Sequence, residues 1–173
     1  MSVLATVDTR GGDGIATYLE TIQRLQRQVI ESQRDKLDEL ALRLAQAVTE
    51  GQRVFVFGTG HSHLLAGEAF CRAGGIATVV PIFYNALMLH EDIPAEALIE
   101  RTAGLAPLLL DAKHPKPGEV IVIFSNSGVN QVPVEMAMAA KERGLFVVTI
   151  SSYSFAAQAP RSTIGKRLDE LAD

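Results

Sequence analysis

The sequence predicts an α/β fold, a three-layer αβα sandwich around a parallel, flavodoxin-like sheet. Three observations support this prediction. Short apolar runs alternate along the chain with segments of helical period. The runs are rich in Val, Ile and Phe, which is typical of parallel strands buried on both faces. The chain has 173 residues, of which 47% are hydrophobic, and this is enough for one domain with a core.

The first predicted element is a long helix. Residues 15–50 contain neither Gly nor Pro, and apolar residues recur three and four positions apart. This spacing predicts one amphipathic helix, or two helices with a break near residues 32–35. Gly51 ends the helix. Such a helix packs either on a partner chain or on the core of its own domain.

Four strands and their connecting helices follow. The strands are apolar runs that end at Gly, Pro or a polar turn, and glycines end most of the helices. Residues 82–97 are predicted to be irregular because Pro94 lies inside them, and residues 114–118 are predicted to form a turn. The predicted strands are 54–57, 76–81, 120–124 and 145–150, and the predicted helices are 61–73, 99–112 (split near Gly104 and Pro107), 132–143 and 164–173.

Composition excludes several classes of protein. The net charge is −4 at pH 7 and no run of Lys or Arg occurs, so no nucleic-acid partner is predicted. No apolar segment approaches the roughly 20 residues of a membrane span. Residues 1–13 lack the pattern of a signal peptide. Cys71 is the only cysteine, and its apolar neighbours predict a small core residue. We expect a cytoplasmic protein without a membrane partner.

Two polar, glycine-containing loops follow the first and third predicted strands. The first loop is residues 58–62 (GTGHS) and the second loop is residues 125–128 (SNSG). Ligands of open parallel sheets bind beyond the carboxyl ends of the strands, where both loops lie. Each loop leads into a helix, whose free N–H groups favour an anion. The pair of loops therefore predicts a phosphate site, although serines at these positions could also merely cap helices.

Neither loop matches a nucleotide-binding motif. The ATP-type loop requires a Lys that is absent here. Gly58 and Gly60 match the start of the dinucleotide fingerprint, but His63 stands in place of its third glycine. The second strand ends at Pro81 and not at the acidic residue that holds a ribose. A phosphate group without a nucleotide fits better, and no cofactor is predicted.

A zinc site is not predicted either. His61 and His63, two positions apart, point in different directions on a helix. Zinc requires three or four ligands, and only His90 is available as a third.

The chain resembles the SIS (sugar isomerase) domain family from about residue 15 to its C-terminus. The first loop matches G-x-G-x-S, the second matches S-x-S-G, and residues 140–151 are similar to the family's A-K-x-x-G segment and the strand after it. More narrowly, GTGHSHLLA, LMLHE and FSNSGVNQVPVEMA resemble small bacterial SIS proteins labelled phosphoheptose isomerase. We therefore expect one SIS domain over residues 15–173, with a helix at 15–50 and a sheet region at 51–173, after a flexible lead-in at 1–14.

The resemblance implies a five-stranded parallel sheet, of which the fifth strand would lie beyond residue 173. It also implies a phosphosugar ligand. Homo-oligomers, dimers or tetramers, would form through the N-terminal helix and the loops at the sheet edge. Classical phosphoheptose isomerases carry a catalytic Glu on the helix after the first loop, but Arg72 stands near that position here, so this role is not transferred.

The expected phosphate-contacting serines are Ser62, Ser125 and Ser127, by resemblance to the family. Asn130 stands where the family usually has Thr. The other residues expected to shape the phosphate and sugar site are Thr59, Gly60, Asn126 and Gly128.

An isomerase that acts through an enediol needs a base to move a proton between adjacent carbons. The predicted catalytic residues are His90, Glu91 and His61, with His63 and Glu68 as weaker candidates. Two alternatives stay open. A lyase or etherase acting on an amino-sugar phosphate would also begin by removing a proton next to a carbonyl. A non-catalytic phosphosugar sensor would regulate a partner.

Overall fold

The structure, a computed structural model, describes residues 13–161 and 163–173. The described chain forms two compact units, one that ends at Arg43 and one that spans Leu44–Asp173. Most of the expected lead-in, residues 1–12, lies outside the described residues. The helices are α1 Gly14–Thr49, α2 His63–Ala69, α3 Ile93–Ile99, α4 Leu105–Asp111, α5 Gln131–Glu142 and α6 Tyr153–Gln158, and the strands are β1 Val54–Gly58, β2 Val79–Pro81, β3 Val120–Phe124 and β4 Phe146–Ile150.

The long N-terminal helix is a single element. α1 continues through residues 32–35 without a break, and the Asp13 carboxylate accepts hydrogen bonds from the N–H groups of Ile15 and Ala16 at its start. The part of α1 in the first unit leaves large apolar side chains exposed, among them Tyr18 and Val29. Within the described part of the chain, every helix is too short or too polar to cross a lipid bilayer.

The second unit contains a four-stranded, all-parallel sheet in the order β2-β1-β3-β4. This is the start of the flavodoxin-like order, and the predicted fold class is confirmed. β1 pairs with β3 in register from Val54 opposite Val120 to Gly58 opposite Phe124. The chain leaves β1 toward β2 on one side and leaves β3 toward β4 on the other. The two exits therefore diverge and open a crevice at this edge of the sheet.

Both faces of the sheet are buried. Phe55 and Ile121 face α4 and α5 in one core cluster, whereas Val56 and Val122 pack with Ala66 of α2 and the last turn of α1 in the other. Helices on both faces explain why the strands read as continuous apolar runs and not as alternating ones.

The helix after β1 is shorter than predicted. α2 ends at Ala69 and not at residue 73, because Phe70 is extended and Cys71 takes a left-handed conformation with φ 48°. Cys71 is exposed, so its prediction as a core residue is wrong. The residues after it form turns, and β2 begins only at Val79.

The segment predicted to be irregular, residues 82–97, contains the start of a helix. Asp92 caps α3 by accepting a hydrogen bond from the N–H of Ala95 at 3.0 Å. Pro94 lies in the first turn, where its missing N–H has no helical partner to lose. The sequence interpretation treated this proline as a breaker, and that interpretation is wrong. A 3-10 turn, Asn85–Leu87, precedes the helix.

The predicted C-terminal helix at 164–173 is also wrong. Gly165 has a φ of 73°, which interrupts a helix, and only a 3-10 turn at Leu168–Glu170 forms. The N–H of Leu168 donates to the carbonyl oxygen of Gly128 at 2.8 Å, so this segment is fixed by the second loop.

Candidate functional site

The two predicted loops lie side by side at the carboxyl edge of the sheet. Gly58, at the end of β1, is aligned with Phe124, at the end of β3. This pair of strands is the point where the strand order reverses, and open α/β sheets bind ligands at such a point. The topology therefore brings residues 59–62 and 125–128 to one crevice.

The first loop turns sharply over α2. Thr59 is buried, and Gly60 takes a left-handed conformation with φ 53°. The N–H of Gly60 donates to the carbonyl oxygen of Leu87 at 2.9 Å, which ties the loop to the segment after β2. Ser62 occupies the cap position of α2, but its hydroxyl makes no capping hydrogen bond. Capping therefore does not account for Ser62, and its hydroxyl can serve a ligand.

The second loop is held by hydrogen bonds within the loop and to the segment after β4. Ser125 is buried, and its Oγ accepts a hydrogen bond from the N–H of Gly128 at 3.2 Å. Gly128 has a φ of 63°, and its neighbour Ser127 is half-buried. The carbonyl oxygen of Asn126, whose side chain is exposed, accepts from the N–H of Ser152 at 3.1 Å. Both serine hydroxyls keep an O–H for donation.

Glu100, which the sequence interpretation missed, joins the first loop to the start of α5. The hydroxyl of Thr59 donates to one carboxylate oxygen of Glu100, and the side-chain amide of Asn130 donates to the other. The backbone carbonyl of Glu100 accepts from the N–H of Val132, at the start of α5, at 3.0 Å. Thr59 and Asn130, both expected to shape the phosphate and sugar site, thus hydrogen-bond to a carboxylate of this chain.

A second unforeseen carboxyl, Glu96, lies one turn earlier on α3 and is buried against the first loop. A Cβ added to Gly60 would lie 3.4 Å from its Oε1, and within the described residues this oxygen has no hydrogen-bond partner. Burial, and then the charge of Glu100, raise the pKa of the Glu96 carboxyl. The pKa is lowered in part by Arg101, by the Gly60 amide and by His61, but it stays above its ordinary value.

We expect Glu96→Gln to stabilise the protein at alkaline pH. A carboxyl whose pKa is higher in the folded than in the unfolded state stabilises the folded protein at low pH. This contribution is lost as the pH rises through the raised pKa. Glutamine stays neutral at every pH. The free energy of unfolding of the variant should therefore rise relative to that of wild type as the pH rises, by on the order of 1 kcal/mol at about pH 8. Urea unfolding at about pH 5 and pH 8 measures this. The same pH dependence in both proteins would contradict the assignment.

A cavity of about 960 Å³ opens beside the second loop. Of the predicted site residues, Ser127 and Asn130 line it. Two arginines, Arg101 and Arg161, also line it, and Arg161 is paired with the carboxylate of Glu170. The cavity thus combines hydroxyl, amide and guanidinium donors, which suits an anionic ligand.

The predicted proton-transfer residues lie elsewhere. His61 is exposed, and His90 and Glu91 form an exposed pair with 3.6 Å between Nε2 and Oε1. Glu91 lines a separate cavity of about 340 Å³. The ring of His90 lies 5.4 Å from that of His63, which is buried and whose Nδ1 lies 2.5 Å from the carbonyl oxygen of Gly60. None of them is among the described residues that line the larger cavity.

The remaining candidate, Glu68, is exposed on α2 and pairs with Arg72 one turn later. Among residues 13–161 and 163–173, no group of three or more His, Cys, Asp or Glu residues is placed to hold a metal ion.

Comparison with known proteins finds the same family. A profile described as "SIS domain" matches residues 17–152. A UPF0309 protein of Listeria monocytogenes is 36% identical over 160 residues, and one of Shouchella clausii is 38% identical over 161 residues. Each alignment covers 92% of this chain, and the chain spans 65% of the length of these curated relatives.

Two solved structures share the fold. A phosphoheptose isomerase from Francisella tularensis superposes with a TM-score of 0.62 at 12% identity, covering 86% of this chain and 79% of that one. A phosphoheptose isomerase from Neisseria gonorrhoeae gives a TM-score of 0.58 at 18% identity, with 84% and 79% covered. At these identities the likeness extends to the fold alone.

Proposed function

The chain belongs to the SIS domain family, and on this premise we propose that it binds a phosphorylated sugar in the crevice between β1 and β3. The observation that carries the proposal is the meeting of the two serine loops at the point where the strand order reverses. Ser62, Ser125 and Ser127 donate to the phosphate, and Gly60 and Gly128 allow the backbone to approach it closely. The backbone of Asn126 supports the second loop.

The proposed reaction is an aldose–ketose isomerisation through an enediol. The sugar's carbonyl and its neighbouring C–H would extend from the phosphate toward the first loop, where ionisable groups gather. His90, Glu91 and His61 are the proposed proton-transfer residues, as expected from the sequence. The fold shared with two phosphoheptose isomerases supports this class of reaction without naming the sugar.

Replacing Ser127 by Ala tests the phosphate site. We expect about a tenfold loss of affinity for a sugar phosphate, because a hydrogen bond to a charged group is removed. A thermal-shift screen with hexose, pentose, heptose and amino-sugar 6-phosphates identifies the ligand, and calorimetry then compares the two proteins. Ser32→Ala, an exposed serine of α1, is the matched control. Equal affinity of the Ser127 variant and wild type would contradict the assignment.

A non-catalytic phosphosugar sensor is the second candidate. It is favoured by the absence of His61, His90 and Glu91 from the described lining of the cavity that holds Ser127. Exchange of solvent deuterium into a bound sugar separates the two functions. Exchange at saturating ligand supports an enzyme, either the isomerase or the amino-sugar-phosphate lyase or etherase. Its absence supports the sensor.

The remaining expectations belong to this proposal. A phosphosugar ligand places the protein in carbohydrate metabolism and in the cytoplasm, because phosphorylated sugars do not cross membranes unaided. We propose one SIS domain over residues 15–173 and a homodimer or tetramer. The exposed apolar side chains of α1, such as Tyr18 and Val29, support association.

A further inference from the structure

We propose that Arg101 is the cation that binds the ligand's phosphate. This inference rests on the proposed function and deepens it, because it adds to the two serine loops a residue that neither loop contains. Three features of the site support it: the charge around the loops, the position of Arg101 and the free donors of its guanidinium.

The charge around the two loops is unfavourable for a phosphate. Residues 58–62 and 125–128 contain no Lys or Arg. Glu100 is hydrogen-bonded to Thr59 and Asn130, and Glu96 is buried against the first loop. A phosphate dianion that enters this crevice meets carboxylate charge at short range, in a partly buried site where screening by water is reduced. A cation close by would therefore strengthen binding.

Arg101 is placed to supply that charge. It directly follows Glu100, whose carboxylate accepts from Thr59 of the first loop and from Asn130 at the start of α5, and whose carbonyl accepts from the N–H of Val132 in α5. These contacts fix the backbone from which the Arg101 side chain extends. The side chain lines the same cavity as Ser127 and Asn130. Glu100 thus acts as a positioning residue for the first loop, for the start of α5 and for Arg101.

The guanidinium of Arg101 has donors to spare. Its Nη1 donates to the carbonyl oxygen of Ala97 within α3, and its charge also opposes the raised pKa of the Glu96 carboxyl. None of the ion pairs among the described residues includes Arg101. The other arginine of the cavity, Arg161, already carries an ion pair with Glu170. A guanidinium presents five N–H donors in a planar fork that matches a phosphate in two-point geometry. Arg101 is therefore the better partner for a phosphate.

The test measures the affinity of the full chain for inorganic phosphate and for the sugar phosphate that gives the largest thermal shift. We expect Arg101→Ala to weaken both by about ten- to thirtyfold. The affinity of Arg101→Lys should lie between those of Arg101→Ala and wild type, because lysine keeps the charge but lacks the planar fork of donors. Arg72→Ala, an exposed arginine outside the cavity, changes the net charge equally and should bind as wild type does. The side chain of Arg101 is exposed, so the urea midpoint should not change.

The outcomes separate this inference from the proposed function. Arg101→Ala with wild-type affinity, beside a weakened Ser127→Ala, would overturn the role of Arg101 and leave the phosphate site intact. The role of Arg101 would also be overturned if Arg101→Lys lost as much affinity as Arg101→Ala does, or if the control Arg72→Ala lost as much. If Arg101→Ala does not fold, Arg101→Gln takes its place, because it keeps a long polar side chain. Its affinity is then compared with those of wild type and Ser127→Ala in the same way. A wild-type chain that binds no phosphate compound would overturn the proposed function itself, and this inference with it.

Discussion

Glu119→Ala is expected to lower the free energy of unfolding by about 3 kcal/mol, because it leaves one charge of a largely buried ion pair without its partner. The Glu119 side chain is only 6% exposed, whereas that of Arg53 is 30% exposed, which places the loss at the lower end for buried pairs. Arg53 Nε and one terminal nitrogen reach the two carboxylate oxygens at 2.6 and 2.8 Å.

The carboxylate of Glu119 also holds the backbone. It accepts from the N–H of Lys116 at 2.7 Å, while the guanidinium of Arg53 donates to the carbonyl oxygens of Lys113 and His114. Arg53 precedes β1 and Glu119 precedes β3, so the pair fastens the amino ends of both central strands. This edge is opposite the crevice. The variant should therefore lose stability while the folded protein keeps its affinity for phosphate.

The pH dependence follows from the pKa of Glu119. Burial raises the pKa, but hydrogen bonds from Arg53 and from the Lys116 amide outweigh burial and leave it lowered. The stabilisation is therefore present at neutral pH and is lost as the pH falls through the lowered value. Urea unfolding at neutral pH and at about pH 3.5 should show that the difference in free energy of unfolding between wild type and variant becomes smaller in acid. Glu142→Gln, an exposed glutamate, is the control. A difference in free energy of unfolding that does not change with pH would refute the role of the ion pair.

Gly58→Ala is expected to disrupt the first loop and to destabilise the domain, by about 3 kcal/mol. A Cβ at this position would lie 2.5 Å from the carbonyl oxygen of Ser62, 2.7 Å from its carbonyl carbon and 3.0 Å from the nitrogen of His63. All three atoms belong to the backbone, so no side chain can rotate away to make room. The strand end or the start of α2 must move.

The same movement displaces Ser62, so the affinity for a sugar phosphate should fall by at least about tenfold. Urea unfolding and calorimetry measure the two effects on one protein. Gly14→Ala is the matched control, because among the described residues no atom outside its chain neighbours and its own helix backbone lies within 4 Å of the added Cβ, and the helix start tolerates alanine. Wild-type stability and affinity in the Gly58 variant would show that the loop does not have this conformation.

The sequence alone predicted the sheet and the edge of it at which the two loops lie. Apolar runs buried on both faces leave a strong local signal, and three of the four strands lie within one residue of their predicted bounds at each end. The carboxyl ends of parallel strands meet at one edge of a sheet, so identifying Ser125 and Ser127 after one strand and Ser62 after another was enough to predict that they meet.

The tertiary structure alone decided which charged groups lie beside the loops. Glu100 bonds to Thr59 across 41 residues and to Asn130 across 30. No local pattern carries such contacts, because they follow from how α3 docks onto the loops. The proline at the start of α3 also concealed the helix that places Glu96 and Arg101. Local periodicity thus determined the elements and the two loops. The docking of those elements determined the carboxylates, the arginine and the cavity around them, because hydrogen bonds between distant residues depend on the packing of whole elements.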